Sequence, residues 1–469
     1  MSIELLWKKA VAAQNAGFHS KALKYCHDIL DRNARHSNAI HLLAALYLEK
    51  KQPEKALKFL DQYIELDPAS PDAYSNRGNA LHALGRFGES IAAHRTTIRM
   101  NPSNAVAHYN LANSLCQIND INSAVEAYRL AIQLDPTLPQ PYSNLASILS
   151  ELGLYQEAEE KALHAIKLCP EYVDAHYNLA NAIREQGHYS RAIKAYLQVL
   201  SLSPNHCDAL CNLGLTLFTV SLEEAAKTLS HTITINPAHS LARFYLGVAL
   251  EESGNIDQAA EVFSKLDNTD TVDRERLSSW EYVRKNRTEN TRILSDTFSA
   301  LSYAFNISPN EGLICEFGVR HGTSIRFIAG MTTRKIYGFD SFLGLPEAWG
   351  DEPIGVYSTN AVVPELPKNV DIHVGSFEKT LPPFLDRFTE TIAFANIDCD
   401  LYSSTKTILN LLAPRIKSGT ILVFDEYLIN PTWQSDEYKA FQEARKKYNW
   451  VTDYVGFCMV GKQAVIRIR

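Results

Sequence analysis

The spacing of apolar positions changes near residue 267. Before it, apolar residues recur three and four apart, as in "AHYNLANAIREQGHYSRAIKAYLQVLSLSP". That is the period of helices that bury one face. After it, short apolar runs alternate with helical patterns: "GLICEFGV", "KIYGFDSF", "NVDIHVGSF", "TIAFANIDCD" and "TILVFDEY". Such alternation predicts βαβ units and a parallel sheet. "WVTDYVGFCMVG" and "QAVIRIR" read as a closing antiparallel pair. A helix is expected over 289–305, and the polar stretch 267–288 reads as a linker or capping helix. The chain is therefore expected to be multidomain, with an all-α region over 1–266 and a doubly wound α/β domain over 289–469.

The helical region repeats. Pro68, Pro102, Pro136, Pro170, Pro204 and Pro237 are spaced 34, 34, 34, 34 and 33 residues apart. Ala22, Ala56, Ala124, Ala158, Ala192, Ala225 and Ala259 recur with them, as do Gly17, Gly85, Gly153, Gly187 and Gly254. Each unit reads as two amphipathic helices with a small residue at their crossing, a glycine turn between them and a proline to close. This resembles the tetratricopeptide repeat, over about eight units from residue 3 to 266. Ala34 stands in for the first proline, Ser90 for one alanine, and the seventh unit is a residue short near Val220.

A solenoid of such units leaves a concave face. Asn76, Asn110, Asn144, Asn178 and Asn212 form a 34-residue ladder on the first helices, accompanied by Asn79, Asn113 and Asn181. Asparagine is a mediocre helix former, so its recurrence needs a reason. One is that the amide, both donor and acceptor, pairs with an extended peptide backbone. The ladder resembles that of protein O-linked N-acetylglucosamine transferases, where it grips peptide main chain. The other is that each Asn bonds neighbouring repeats and meets no ligand.

In the α/β half, ligands are expected beyond the carboxyl ends of the strands. The first strand runs into "CEFGVRHGTS", with Glu316, Gly318 and Gly322. The second ends at Asp340 and Ser341, and the third at Ser376 and Phe377. The fourth and fifth end in paired acids: Asp398 and Asp400 in "NIDCDLYSST", Asp425 and Glu426 in "VFDEY". Two aspartates two apart would share one face of a strand. Four uncompensated carboxylates would repel one another, and hard oxygen donors suit Mg2+ or Ca2+.

Together "EFGVRHGTS", "YGFDSFLGLPEAW", "GSFEKTLPPFL", "IDCDLYSSTKTILNLLAPRIKSGT" and "VFDEY" resemble the class I S-adenosylmethionine-dependent methyltransferases. Within them the match is to the macrocin O-methyltransferase-like family, over about 290–469. The resemblance implies a Rossmann-like fold and methylation of a hydroxyl, with a sugar or glycan hydroxyl as the expected acceptor. It implies Mg2+ or another divalent cation on Asp398, Asp425 and Glu426, although the family often has Asp-Asp where this chain has Asp425-Glu426. It implies Asp400 as general base. Cofactor contacts would come from Glu316, Gly318 and Gly322 at the methionine part, Asp340 and Ser341 at the ribose, and Ser376 and Phe377 by the adenine. His321, Tyr402 and Tyr427 are read as solvated or packing residues, Cys399 as core, and Trp349 and Trp433 as candidates for a lid.

Bulk properties narrow the partners. Of 469 residues 46% are hydrophobic, and the net charge of -7 with a pI near 6.1 argues against nucleic acid. No apolar run approaches the roughly 20 residues of a membrane span. The N-terminus lacks the apolar core of a signal peptide, and eight scattered cysteines read as reduced thiols, so a cytoplasmic protein is expected. The expected function is an O-methyltransferase for a hydroxyl-bearing small molecule or glycan, its repeats docking a protein, peptide or polymer-bound acceptor. The alternative is a repeat scaffold whose α/β domain binds S-adenosylmethionine without turnover, or that methylates a protein-bound acceptor.

Overall fold

A computed structural model describes residues 1–267 and 269–469. Sixteen helices from Ile3 to Phe263 follow one another as eight pairs. The recurring alanines explain the pairing: Ala22, Ala56, Ala124, Ala158, Ala192 and Ala225 are fully buried. Larger residues there would push the helices apart. The turn glycines take φ between +71° and +83°, a region only glycine enters freely. Lys51 and Asn119 hold the equivalent place in the second and fourth units, and both are left-handed.

The chain divides into two compact units. The first is Met1–Glu151 with Gln156–Leu179, and the second is Leu152–Tyr155 with Ala180–Arg469. The division thus falls inside the repeats rather than at residue 267. In the first unit the N-terminal repeats bury Leu6, Cys26, Ile29, Leu43 and Leu46 in one cluster.

The second unit contains an eight-stranded sheet. Its strands are β1 (Arg292–Leu294), β2 (Leu313–Phe317), β3 (Ile336–Asp340), β4 (Val370–Val374), β5 (Ile392–Ile397), β6 (Ile421–Phe424), β7 (Thr452–Cys458) and β8 (Ala464–Ile468). The order is β1-β7-β8-β6-β5-β2-β3-β4, and only β8 runs against its neighbours. Central strands β2, β5 and β6 are buried throughout, as continuous apolar runs require.

The helix expected over 289–305 is corrected. Its first part is the edge strand β1, parallel to β7. The helix begins at Thr297, where Asp296 and Ser299 form a reciprocal capping box. The stretch before it is a helix over Thr271–Asn286, with Trp280 and Val283 fully buried. Within this unit the last repeats and the sheet share one core, which joins Phe244, Tyr245, Leu246 and Trp280 to Phe424, Tyr427 and Phe457. The Tyr245 hydroxyl donates to the Met459 carbonyl at 3.0 Å. No helix among the described residues is long and apolar enough to cross a membrane.

Candidate active site

Strand β2 connects onward to β3 on one side and lies beside β5 on the other. Such a switch in strand order opens a crevice at the carboxyl ends. A cavity of about 680 Å³ lies there. Of the residues singled out from sequence, Gly318, Asp340, Ser341, Ser376, Phe377, Asp398, Asp400, Asp425 and Glu426 line it. Glu316 and Gly322 are not at its wall.

The turn after β2 is shaped by close approach. Gly318 has φ +89°, and a Cβ there would collide with the backbone oxygen of Asp398. Gly322, at φ +77°, opens the helix Thr323–Gly330, and a Cβ there would come within 2.6 Å of Leu366. Asp340 holds this turn. Its Oδ2 accepts from the backbone N–H groups of Val319 and Arg320 at 2.8 and 2.7 Å, and its Oδ1 from Phe342 at 2.7 Å. The carboxylate expected at a ribose is thus already engaged with main chain. Glu316 is fully buried and accepts from Ser324 Oγ at 2.8 Å and Asn396 Nδ2 at 3.4 Å. Burial pushes its carboxyl up to about 8.

The expectation that Asp398 and Asp400 share a strand face is corrected. Strand β5 ends at Ile397, and Asp400 lies beyond it in the left-handed region at φ +61°. A non-glycine residue held there stores strain, a feature that concentrates at functional sites. Burial raises Asp398 well above the usual carboxylate range, reinforced by the charges of Asp425 and Asp400. Burial also pushes Asp400 up to about 7, with Glu426 and Asp425 adding and Lys462 and Arg320 opposing. Asp425 rises to about 6 by burial and by Glu426, while Gln463 donates to its Oδ1 at 2.5 Å and pulls it down.

Hard carboxylate oxygens at Asp398 and Asp425 have the donor chemistry of a divalent-cation site. The fit does not extend to Glu426. Lys462 Nζ sits 2.9 and 3.0 Å from its two oxygens, and Asn430 donates to one of them at 3.3 Å. Among the described residues no group of three or more His, Cys, Asp or Glu side chains is arranged to hold a metal ion.

Several neighbours of the acids carried no local signal. Glu437, fully buried, accepts from the backbone N–H groups of Cys399 at 3.3 Å and Glu426 at 3.2 Å. It thereby ties the two acidic loops together. Arg320, left-handed at φ +48°, lies over the Tyr357 ring at 4.9 Å, and both line the cavity. Tyr155 and Glu185 also line it. Trp349 lines it too and donates to Asp436 at 3.1 Å. His321, read as a solvated loop residue, is instead at the cavity wall, and burial lowers its pKa. Trp433 is no lid: it is almost fully buried and donates to Ser278 Oγ at 3.2 Å. Tyr427 is a core residue, Cys399 packs in the core and also lines the cavity, and Tyr402 donates to Glu443 at 2.7 Å.

The asparagine ladder bonds along the solenoid. Asn144 donates to Asn113 Oδ1 at 3.0 Å, Asn178 to the Ser143 carbonyl at 2.9 Å, and Asn212 to Asn181 Oδ1 at 3.1 Å. Asn76 and Asn110 are half-buried.

Comparison with known proteins identifies the two kinds of domain. Residues 315–427 match a methyltransferase-domain family model. Tetratricopeptide-repeat models match 16–77, 112–153, 139–172, 162–194, 180–220 and 221–271. Demethyldecarbamoylnovobiocin O-methyltransferase of Streptomyces niveus is 27% identical over 28% of this chain and 58% of its own length. The 8-demethyl-8-(2,3-dimethoxy-alpha-L-rhamnosyl)-tetracenomycin-C 4'-O-methyltransferase of Streptomyces olivaceus is 29% identical over 25% of this chain and 54% of its own. The chain thus spans little more than half the length of these curated relatives. The solved APC/C hetero-tetramer Cut9-Hcn1 is 20% identical over 51% of this chain and 48% of that one, with a TM-score of 0.46. The chain carries tetratricopeptide repeats and a methyltransferase domain with O-methyltransferase relatives.

Proposed function

We propose that this chain transfers a methyl group from S-adenosylmethionine to a hydroxyl of a sugar or glycan acceptor, and that its repeats dock a protein partner or polymer-bound acceptor. The observation that carries the reading is Asp400. Its carboxyl lines the cavity, is fixed on a strained loop, and is pushed up to about 7. A carboxylate of that basicity accepts a hydroxyl proton near neutral pH far better than an ordinary one. The sugar assignment draws support from the rhamnosyl-bearing substrate in the name of one relative.

When bound, S-adenosylmethionine supplies an electrophilic methyl on a sulfonium, so the protein's task is chiefly alignment and desolvation. The backbone at Gly318 would lie against the methionine part, held by Asp340 below it. Ser341 would reach the ribose, and Ser376 and Phe377 the adenine. Glu316, behind the wall, would support the turn through Ser324. At the other end Asp398 and Asp425 would hold a divalent cation such as Mg2+, which lowers the pKa of a hydroxyl near it. Asp400 would take the hydroxyl proton, Lys462 would keep Glu426 neutralised, and Glu437 would keep both acidic loops in place.

Calorimetric titration with S-adenosylmethionine tests the cofactor assignment, and wild-type chain that binds none would end the reading. Mass spectrometry of glycans incubated with enzyme, cofactor and Mg2+ tests the transfer. Asp400→Asn should retain cofactor binding and lose methylated product. Asp398→Asn and Asp425→Asn should lose the response to added Mg2+. Cofactor binding without product from any glycan would favour the binding-module alternative.

A further inference from the structure

The carboxyl ends of β4 and β6 are four strands apart in the sheet. At the usual strand spacing that separates Ser376 from Glu426 by roughly 19 Å. The cavity therefore has a β4 end and an acid end. On the proposed function, cofactor fills the first and the acceptor must enter at the second.

The acid end is not made by the α/β fold alone. Gly153, Tyr155 and Glu185 line the same cavity; Gly153 is in a repeat turn, Tyr155 begins and Glu185 ends a repeat helix, and all three belong to the second compact unit. Gly153, at φ +80°, packs directly on the glycine turn. A Cβ there would lie 3.1 Å from His321 Cδ2 and 3.5 Å from Arg320 Nη1. That contact fixes the repeat turn against the site. Tyr155 lines the cavity with Asp398 and Asp400, and its hydroxyl is shifted by burial first and then by the charges of Glu185, Arg320 and Asp398. Its hydroxyl makes no hydrogen bond among the described residues. Glu185 Oε1 accepts from Arg184 at 2.5 and 3.0 Å, and among the described residues its Oε2 accepts no hydrogen bond. The rings of Tyr357 and Trp349 line the same cavity.

This wall combines acceptor oxygens with aromatic faces. A carboxylate and a phenol match the hydroxyls of a sugar, and aromatic rings cover its apolar C–H face. We infer that Tyr155 and Glu185, at the ends of repeat helices, bind the hydroxyls of a glycosyl acceptor and determine its specificity. The inference rests on the proposed function. It gives the repeats a role inside the cavity, distinct from docking a partner on a concave face.

The test uses full-length chain saturated with S-adenosylhomocysteine and a panel of methyl glycosides as probes. Binding is read by saturation-transfer NMR. Wild type should bind at least one glycoside. Glu185→Ala should weaken it about tenfold or more, and Tyr155→Phe, which removes one oxygen, about three- to tenfold. Both variants should keep wild-type affinity for S-adenosylmethionine and the wild-type melting temperature. Wild type that binds the cofactor but no glycoside overturns the inference, as do variants that bind the glycoside as wild type does. Wild type that binds no cofactor overturns the underlying function instead.

Discussion

Glu316→Gln should stabilise the protein, and increasingly so as pH rises. Glu316 is fully buried and its carboxyl is pushed from an ordinary 4.5 up to about 8, mainly by loss of water. The unfolded chain releases this proton above pH 4.5, whereas the folded chain keeps it until about 8. Folded wild type is therefore penalised progressively across that window. At about 1.4 kcal/mol per pH unit, the penalty is under 1 kcal/mol at pH 5 and about 3 kcal/mol at pH 7. Glutamine has nearly the same shape and no proton to lose. It can still meet Ser324 and Asn396, whose hydroxyl and amide each donate or accept.

The assay is urea unfolding of wild type and Glu316→Gln at pH 5, 6, 7 and 8. The transition to follow is the one that S-adenosylmethionine shifts, since two compact units need not unfold together. The expected result is two curves nearly coincident at pH 5 that separate by about 3 kcal/mol at pH 7. A constant difference across pH, or a variant less stable at pH 7, would refute the reasoning. Cofactor titration of the same variant settles what the carboxyl does for the ligand. Because Glu316 lies behind the wall, affinity should change by no more than a few-fold. A loss of tenfold or more would mean that it contacts the methionine part directly.

Three further outcomes are expected. Glu437→Ala should leave the buried N–H groups of Cys399 and Glu426 unpaired, so that methyl transfer falls more than cofactor affinity, their amides exchange faster, and Glu437→Gln restores part of both. Asn178→Ala should cost the first unit about 1 kcal/mol in a thermal melt, because the amide bonds Ser143; an unchanged melt with weaker partner capture would favour the peptide-gripping role. His94 is buried, neither ring nitrogen has a hydrogen-bond partner among the described residues, and burial pushes its pKa down to about 4. The unfolded chain binds that proton below pH 6.5, so first-unit stability should fall as pH drops from 6.5 towards 4, and His94→Leu should gain about 2 kcal/mol on wild type at pH 5 in urea unfolding.

What the sequence disclosed, and what it hid, follows from how far apart the interacting residues are. The repeats were legible because each unit restates the same alanine, glycine and proline, so a single departure costs little. Lys51 and Asn119 simply accept the left-handed turn that glycine takes elsewhere. The central strands were legible because burial on both faces leaves unbroken apolar runs. Strand β1 was not, since three residues at an edge carry no period. Asp400 misled for a different reason: spacing of two implies a shared face only while the strand continues, and nothing local announces that it stops at Ile397. Lys462 and Glu437 reach the acids from 36 and 11 residues away along the chain, as the ion pair and the backbone hydrogen bond to Glu426 show. Neither distance has a sequence signature. Tyr155 and Glu185 are hidden most completely, because at the ends of repeat helices they look like ordinary surface positions. They line the cavity beside Asp398 and Asp400 in the fold, and the last repeats share one core with the sheet, so the repeats and the acids meet only through contacts distant along the chain.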